Sequence, residues 1–342
     1  MTERLEQSNT NLSKLNMTEL HQFLNYASKY KLILREKTNI PSDATFGFEL
    51  EFLKKNLTQI RNKLNSSKFS KWHLCSDDAI REIYEIQTPI LTDTIESWLE
   101  LEEICETVGL DNIVNTNCGA HIHVGAQVLG PNPKAWLNYL LLISTYENII
   151  FRFGYGEDSK PRKYLEGYAS SVSKDFWNRY QELKGSFYYE VIDVIKGLNM
   201  EKFKAINFVN VKNTKKVAYK NTIEIRHPNG TKNPIIWQNN NLLTLRTILY
   251  AKNTEFDQET ILRRKRINER LGITFEHYSD FQLDAALEFA DLIFTNDLDK
   301  IYFLNQVLEG LLYAVLQILI DAEKQKLQTY HLLQYNRVHF HL

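Results

Sequence analysis

Polar and apolar residues alternate one by one in three short stretches of this 342-residue chain. The stretches are FGFELEF at 46–52, AHIHVG at 120–125 and TIEIRH at 222–227. Successive side chains of an extended strand point to opposite faces of a sheet, so this alternation predicts half-buried β-strands. Each stretch should therefore give its apolar residues to a core and its polar residues to one surface.

The polar positions of the three predicted strands carry residue types that do chemistry. These residues are Glu49 and Glu51, His121 and His123, and Glu224 and Arg226. The apolar positions, which should face the core, are Phe48, Leu50, Phe52, Ala120, Ile122, Val124, Ile223 and Ile225. If the strands are neighbours, each of them brings two charged or metal-binding groups to one face of the sheet.

Helical spacing of apolar residues predicts helices elsewhere in the chain. They are expected at 59–64, 92–108 and 134–151, and through most of the chain after 234. Thr92 or Asp93 is the expected N-cap of the second helix. The apolar side of that helix would consist of Ile95, Trp98, Leu99, Leu101 and Ile104. Further strands are expected near 203–211 and, as two short strands, within 72–89.

The predicted strands do not alternate regularly with helices, which indicates an α+β fold with a mainly antiparallel sheet backed by helices. Residues 1–40 are expected to form an N-terminal helical extension and residues 41–250 the catalytic domain. Residues 251–342 are expected to form a C-terminal helical part packed on the same domain.

Composition and charge argue against several classes of function. The net charge is −1, so no bulk electrostatic field favours nucleic acid or an acidic membrane. The three cysteines form no CxxC pair and the first residues are polar, which favours a cytoplasmic protein without a signal peptide. Polar side chains interrupt the apolar stretch at 301–322, so we expect a buried helix there and no membrane span.

Carboxylates and imidazoles gathered on one face indicate a bound cation. Two carboxylates about 4 Å apart repel each other by roughly 4 kcal/mol at an effective dielectric constant near 20. Oxygen-rich ligand sets without cysteine suit Mg²⁺ or Mn²⁺ better than zinc. Two of the patterns have an ordinary explanation when they occur alone: a solvated strand edge for ExE and a cross-strand ion pair for ExR. The occurrence of ExE, HxH and ExR on three strands favours the metal site.

Phosphate binding would rest on cations and arginines. Arg226 is a planar, permanently charged donor that suits phosphate or carboxylate groups. The chain has no GxxxxGK[ST] loop and no GxGxxG fingerprint after a strand. The basic run at 263–266 lies between two glutamates and is expected to be a solvated helix face, not a nucleic-acid patch.

Six motifs follow one another in a recognisable order. They are GFELEF, WHLCSDDAI, EIQTP, CGAHIHVG, NFVNV and TIEIRHPNGT, which together span about 45–240. This order resembles the putative amidoligase family, within the glutamine-synthetase-like carboxylate–amine ligases. The resemblance implies a glutamine-synthetase-like curved antiparallel sheet whose concave face holds ATP and two or more Mg²⁺ ions.

The resemblance also implies roles for individual residues. The implied metal ligands are Glu49, Glu51, Glu85, His121 and Glu224. His123 would lie near the nucleotide phosphates, and Arg226 would contact phosphate or the acyl-phosphate intermediate. Arg162 matches a basic loop residue that contacts phosphate or substrate. The SDDAI motif departs from the family pattern, so Asp77 and Asp78 are not distinguished.

The implied activity is an ADP-forming, ATP-dependent carboxylate–amine ligase acting on an amino acid or a peptide. Two alternatives stay open: a phosphotransferase of the same fold, and a non-catalytic binding module with a vestigial site. The expected partners are small-molecule or peptide carboxylates and amines, with no nucleic acid and no membrane. The sequence names neither substrate, and it leaves open whether the chain is a homo-oligomer.

Overall fold

The computed structural model describes residues 2–76, 82–158, 160–184, 195, 203–218, 220–273 and 282–324. Asp77 and Asp78 lie outside the described residues. The expected strand boundaries shift by a few residues, and the segment near 203–211 contributes only two residues to the sheet.

Six strands form one open, antiparallel sheet. They are Phe46–Leu53 (β1), His73–Ser76 (β2), Ile83–Gln87 (β3), Ala120–Gly125 (β4), Ile206–Asn207 (β5) and Thr222–Ile225 (β6). Their spatial order is β2-β3-β1-β4-β6-β5, and every neighbouring pair runs antiparallel. The prediction of an α+β fold with an antiparallel sheet is therefore confirmed.

The helices occupy the rest of the described chain. The α-helices are Thr2–Gln7 (α1), Met17–Lys29 (α2), Thr58–Leu64 (α3), Ile95–Asp111 (α4), Ala126–Leu129 (α5), Pro133–Thr145 (α6), Glu147–Gly154 (α7), Leu165–Tyr168 (α8), Ser173–Lys184 (α9), Pro234–Lys252 (α10), Gln258–Arg270 (α11), Leu283–Ile293 (α12), Asp297–Val307 (α13) and Leu312–Lys324 (α14). Short 3₁₀ turns lie at Leu12–Lys14, Ser67–Phe69 and Gly156–Asp158. None of the helices in the described ranges is long and apolar enough to cross a membrane.

One face of the sheet packs on helices α4 and α10. The eight apolar residues that the alternation assigned to the core are all buried. The Phe46 ring stacks on Trp98 of α4 at 5.2 Å between centroids, and Phe48 meets Trp237 of α10 edge-on at 5.1 Å. Burial of such large rings supplies the hydrophobic free energy that holds the sheet on its helical layer. The opposite face of the sheet is left for polar side chains.

Helix α4 starts later than the sequence predicted. Its N-cap is Thr94, whose hydroxyl accepts from the Ser97 amide, and neither Thr92 nor Asp93 caps it. Asp93 instead accepts hydrogen bonds from the Thr38 amide and from the Trp98 indole. The assignment of its apolar side was also partly wrong, because Ile95 and Leu99 are exposed.

Two long predicted helices are each divided. The 134–151 segment breaks at Tyr146, between α6 and α7, and the 301–322 segment breaks between α13 and α14. Gly310 lies in the second break with φ of 72°. Such left-handed backbone is costly for other residues and typically ends a helix.

The N-terminal segment contacts the C-terminal helices directly. The Thr10 amide donates to Asp297 at 2.6 Å, and the Tyr302 hydroxyl donates to the Ile33 carbonyl at 2.8 Å. Arg35 pairs with Asp299 at 2.6 Å. The N-terminal segment and the helix Asp297–Val307 are therefore packed against each other.

Arg264 contradicts the expectation of a wholly solvated basic run. Its side chain is buried and pairs with Asp284 at 2.7 Å and with Glu288 at 2.8 Å. We expect Arg264→Gln to lower the free energy of unfolding by about 3 kcal/mol, the low end for breaking a buried ion pair, because Glu288 keeps Arg263 and Tyr146 as partners. Arg266→Gln, an exposed position in the same helix, should change it by less than about 0.5 kcal/mol. Urea unfolding of both variants tests this, and equal effects would contradict it.

Candidate functional site

The polar face of the sheet forms the floor of a cleft of about 860 Å³. The pairing register brings the predicted residues together: Glu49 lies opposite His121, and His123 lies opposite Glu224. Paired residues on neighbouring strands share a face, so the side chains meet. Seven of the eight predicted site residues line the cleft, and so does Gln87; the seven are Glu49, Glu51, Glu85, His121, His123, Glu224 and Arg226.

Glu49 lies at the centre of the site between two imidazoles. Its carboxylate oxygens are 3.0 Å from His121 Nδ1 and 3.2 Å from His123 Nε2. Burial disfavours its ionised form, but the two imidazoles outweigh burial and hold the pKa of Glu49 far below its usual range. Burial lowers the pKa of His123, but Glu49 more than offsets this and raises it. Glu49 is therefore a carboxylate at neutral pH.

Glu224 is held in place from two sides. The Asn207 amide donates to its Oε2 at 3.0 Å, and the Arg226 guanidinium donates to its Oε1. Arg226 also donates to the Tyr168 carbonyl at 3.4 Å. Since Arg226 also lines the cleft, it presents a fixed positive charge beside the carboxylates.

Three ligand atoms, one each from Glu49, His123 and Glu224, lie within 4.8 Å of one another. Ligands at about 2.1 Å from a Mg²⁺ ion stand no more than about 4.2 Å apart. A movement of a few tenths of an ångström by each side chain would therefore close this set around one cation. Among the described residues, this is the one group of three or more such side chains whose ligand atoms all lie within 4.8 Å of one another.

Glu51, Glu85 and His121 form a second group beside the first. Glu51 Oε1 lies 3.4 Å from His121 Nε2, and Glu85 pairs with Glu51 across β1 and β3. His121 Nε2 is buried, and no described residue makes a hydrogen bond of good geometry to it. Burial and the nearby charge of Glu49 raise the pKa of Glu85 to about 7, although a hydrogen bond from Gln87 opposes them.

Three residues of the site were not predicted from the sequence. Gln87 donates to Glu85 at 2.6 Å, Asn207 orients Glu224, and the Thr222 hydroxyl lies 3.2 Å from His123 Nδ1. The same alternation could have indicated Gln87 and Thr222, since each lies two positions from a predicted ligand on its strand. Asn207 could not be found in this way because its strand is only two residues long.

Arg162 is buried beside Glu51, on the same face of the sheet as His121, and does not line the cleft. Its Nη1 is 3.9 Å from Glu51 Oε2, and its Nη2 donates to the Arg226 carbonyl at 2.9 Å. Burial lowers the pKa of Arg162, although the charge of Glu51 opposes this. Its expected contact with phosphate stays a prediction.

His227, next to Arg226, is a buried neutral base. Burial and the nearby charge of Arg162 lower its pKa to about 3. The unfolded chain binds a proton at this position below its ordinary pKa of about 6.5, whereas the folded chain does not until about pH 3. The stability that neutral His227 supplies is therefore complete above pH 6.5 and is lost as the pH falls towards 3.

Because the unfolded chain takes up a proton at His227, the free energy of unfolding of the wild type should fall by about 2 kcal/mol between pH 7 and pH 5. The His227→Gln variant cannot take up this proton. Over the same pH interval, its free energy of unfolding should therefore fall by about 2 kcal/mol less than that of the wild type. Urea unfolding at both pH values, without divalent cations, measures the difference. Parallel pH profiles for the two proteins would show that His227 does not control this loss.

The comparison with known protein families agrees with the motif order. The model of a family described as "putative amidoligase enzyme" matches residues 42–248, more than half of the chain. The chain belongs to this family. The match covers all six strands and every residue of the site. No curated protein matches the chain.

Proposed function

We propose that this chain is an ATP-dependent carboxylate–amine ligase that forms an amide bond on an amino acid or a peptide. The observation that carries the proposal is the convergence of Glu49, His123 and Glu224 at the floor of a large cleft. Membership of the amidoligase family supports the general assignment of the chain as a ligase. The antiparallel sheet supports the further proposal of a glutamine-synthetase-like fold.

The residues of the site fit bound divalent cations. Four carboxylates, from Glu49, Glu51, Glu85 and Glu224, are accompanied by two guanidinium groups, from Arg162 and Arg226. Oxygen ligands with one or two imidazoles suit Mg²⁺ or Mn²⁺. Glu49, His123 and Glu224 would hold one ion, and Glu51, His121 and Glu85 a second. When bound, such ions neutralise charge on phosphate oxygens.

The roles of His123 in this proposal are metal binding and contact with the nucleotide phosphates. Arg226 would bind the transferring phosphate, because its guanidinium lines the cleft beside Glu224. A planar guanidinium matches the oxygen spacing of phosphate and stabilises charge that develops during transfer. The cleft volume of about 860 Å³ is ample for a nucleotide together with a small acceptor.

The proposed reaction has two steps. A substrate carboxylate oxygen bonds to the γ-phosphorus of ATP while the bond to the departing ADP oxygen breaks. The amine nitrogen then bonds to the carbonyl carbon of the acyl phosphate, inorganic phosphate leaves, and the nitrogen loses a proton. Holding both substrates in one cleft contributes to the rate because it removes the need for random encounter.

ADP release from ATP over a panel of amino acids and amines, with Mg²⁺ or Mn²⁺, tests the proposal. We expect release that requires a carboxylate and an amine together, with one amide formed per ADP. Release with a phosphoryl acceptor alone would favour a phosphotransferase. Binding of ligands without any turnover would favour the non-catalytic module.

The remaining proposals concern the whole chain. The family match to residues 42–248 supports a catalytic domain at about 41–250, with residues 1–40 and 251–342 as helical additions. A cytoplasmic location agrees with three free cysteines, of which Cys105 and Cys118 are buried. Burial raises the pKa of the Cys118 thiol, so a structural role for it is proposed.

A further inference from the structure

Arg162 has the structural features of a residue that orients a metal ligand. Resting on the proposed function, we propose that Arg162 is a positioning residue, which fixes Glu51 for metal binding and does not contact phosphate. Arg162 is buried, its partners are protein groups, and a glycine faces it. Only 5% of Arg162 is exposed, and it does not line the cleft.

The Arg162 guanidinium faces protein groups, although its Nε makes no hydrogen bond among the described residues. Glu51 is the one carboxylate within 4.0 Å of it among the described residues, and the Arg226 carbonyl accepts from its Nη2. Its backbone is fixed too, because the Arg162 amide donates to Asn229 Oδ1 at 2.8 Å. The Asn229 side-chain amide in turn donates to the Lys160 carbonyl at 2.7 Å. The loop therefore holds Arg162 in one place.

Glu51 receives a different partner at each oxygen. Its Oε2 accepts from the Gly119 amide at 2.5 Å and faces Arg162, whereas its Oε1 points towards His121 Nε2. Oε2 is therefore contacted by protein groups, and Oε1 remains available to bind a cation. A buried carboxylate without its counter-charge would be costly, and Arg162 supplies that charge on the side of Oε2.

Gly119 makes this arrangement possible. A Cβ atom at position 119 would collide with Nη1 of Arg162 and would lie 3.1 Å from His121 Nε2. The collision is with a buried guanidinium that donates to the Arg226 carbonyl, so the guanidinium must shift away from Glu51 to make room. Gly119→Ala is therefore a second way to displace Arg162 without removing its charge.

The test measures Mn²⁺ binding without nucleotide, by calorimetry on the full chain, and nucleotide binding at saturating Mn²⁺. We expect Arg162→Gln to weaken Mn²⁺ binding by about 10–100-fold. Gly119→Ala should shift it in the same direction, and Arg162→Lys should recover only part of the loss, because an ammonium lacks the guanidinium fork. Once Mn²⁺ is saturating, ATP binding should equal that of the wild type.

Lys163→Gln is the matched control, because it removes one positive charge from an exposed position of the same loop. It should leave Mn²⁺ binding unchanged. Thermal melting and far-ultraviolet circular dichroism establish that each variant is folded. A double-mutant cycle with Glu51→Gln gives a further readout: if Arg162 acts through Glu51, the two losses of Mn²⁺ affinity are not additive.

The outcomes separate this inference from the proposed function. Wild-type Mn²⁺ binding by folded Arg162→Gln, with weaker ATP binding, would overturn the positioning role and favour a phosphate contact. Additive losses in the cycle would also overturn it. A wild-type chain that binds neither Mn²⁺ nor ATP would overturn the proposed function itself, and the positioning role with it.

Discussion

Glu49→Gln should abolish metal binding and ligation. Glu49 contacts both histidines, and its carboxylate belongs to the converging ligand set with Glu224. The amide replaces an anionic oxygen by a donor group, which cannot bind a cation. We expect Mn²⁺ affinity to fall by at least about 100-fold, more than a ligand-orienting residue would cost, and amide formation to become undetectable. Calorimetry and ADP release measure the two effects.

Glu96→Gln is the control for this prediction, because Glu96 is an exposed glutamate in helix α4, on the other side of the sheet. It should bind Mn²⁺ and release ADP as the wild type does. The Glu49 variant should remain folded, since Phe48 and Leu50 on the other face of the strand still fill the core. Folded Glu49→Gln with normal Mn²⁺ affinity would show that the cation, if any, binds elsewhere.

Arg226→Gln should separate chemistry from metal binding. The guanidinium borders the cleft and pairs with Glu224, so its loss removes a stabilising charge from the transferring phosphate. We expect kcat to fall by about 10²–10³-fold, as when a donor to a developing anion is removed. Asn207 still orients Glu224, and a competing positive charge has gone. Mn²⁺ affinity should therefore stay within about threefold, which is under 1 kcal/mol, or increase.

Two controls accompany the Arg226 prediction. Arg61→Gln removes an exposed arginine from helix α3 and should leave kcat unchanged. Arg226→Lys keeps the charge but not the fork, so its kcat should lie between those of the wild type and of Arg226→Gln. A parallel fall of Mn²⁺ affinity and kcat would mean that Arg226 acts by orienting Glu224, not by binding phosphate.

Much of the site could be predicted from side-chain alternation. Glu49, His121 and Glu224 each lie in a strand whose apolar positions are buried, so the period of two fixes the face to which they point. The prediction did not depend on the rest of the fold. Alternation also explains why the expected core residues of these strands are all confirmed.

The pairing register and the long-range partners could not be predicted in this way. Alternation does not determine that Glu49 lies opposite His121, because contacts distant in sequence set the register. The burial of Arg264 was misjudged for the same reason, and that of Arg162 could not be predicted. Both lie in polar segments, yet Glu51 and Glu288, distant along the chain, provide the counter-charges that allow a buried guanidinium.

Helix ends were predicted with the least accuracy. Thr92, Asp93 and Thr94 are all suitable N-caps, and the choice of Thr94 follows from the use of Asp93 to bind the Thr38 amide. Gly310 marks the break before α14, but a glycine inside an apolar segment indicates an end only when its φ is known. The helix propensity of the local sequence therefore does not determine where these helices begin and end.

The most direct test of a cation held by Glu49, His123 and Glu224 is anomalous diffraction at the manganese edge. Crystals of the wild-type chain would be grown with Mn²⁺ and a non-hydrolysable ATP analogue. The proposed site predicts a manganese peak bonded to one oxygen of each glutamate and to His123, with the γ-phosphate near Arg226. A cleft without a manganese peak, or ions bound only outside it, would contradict the proposal.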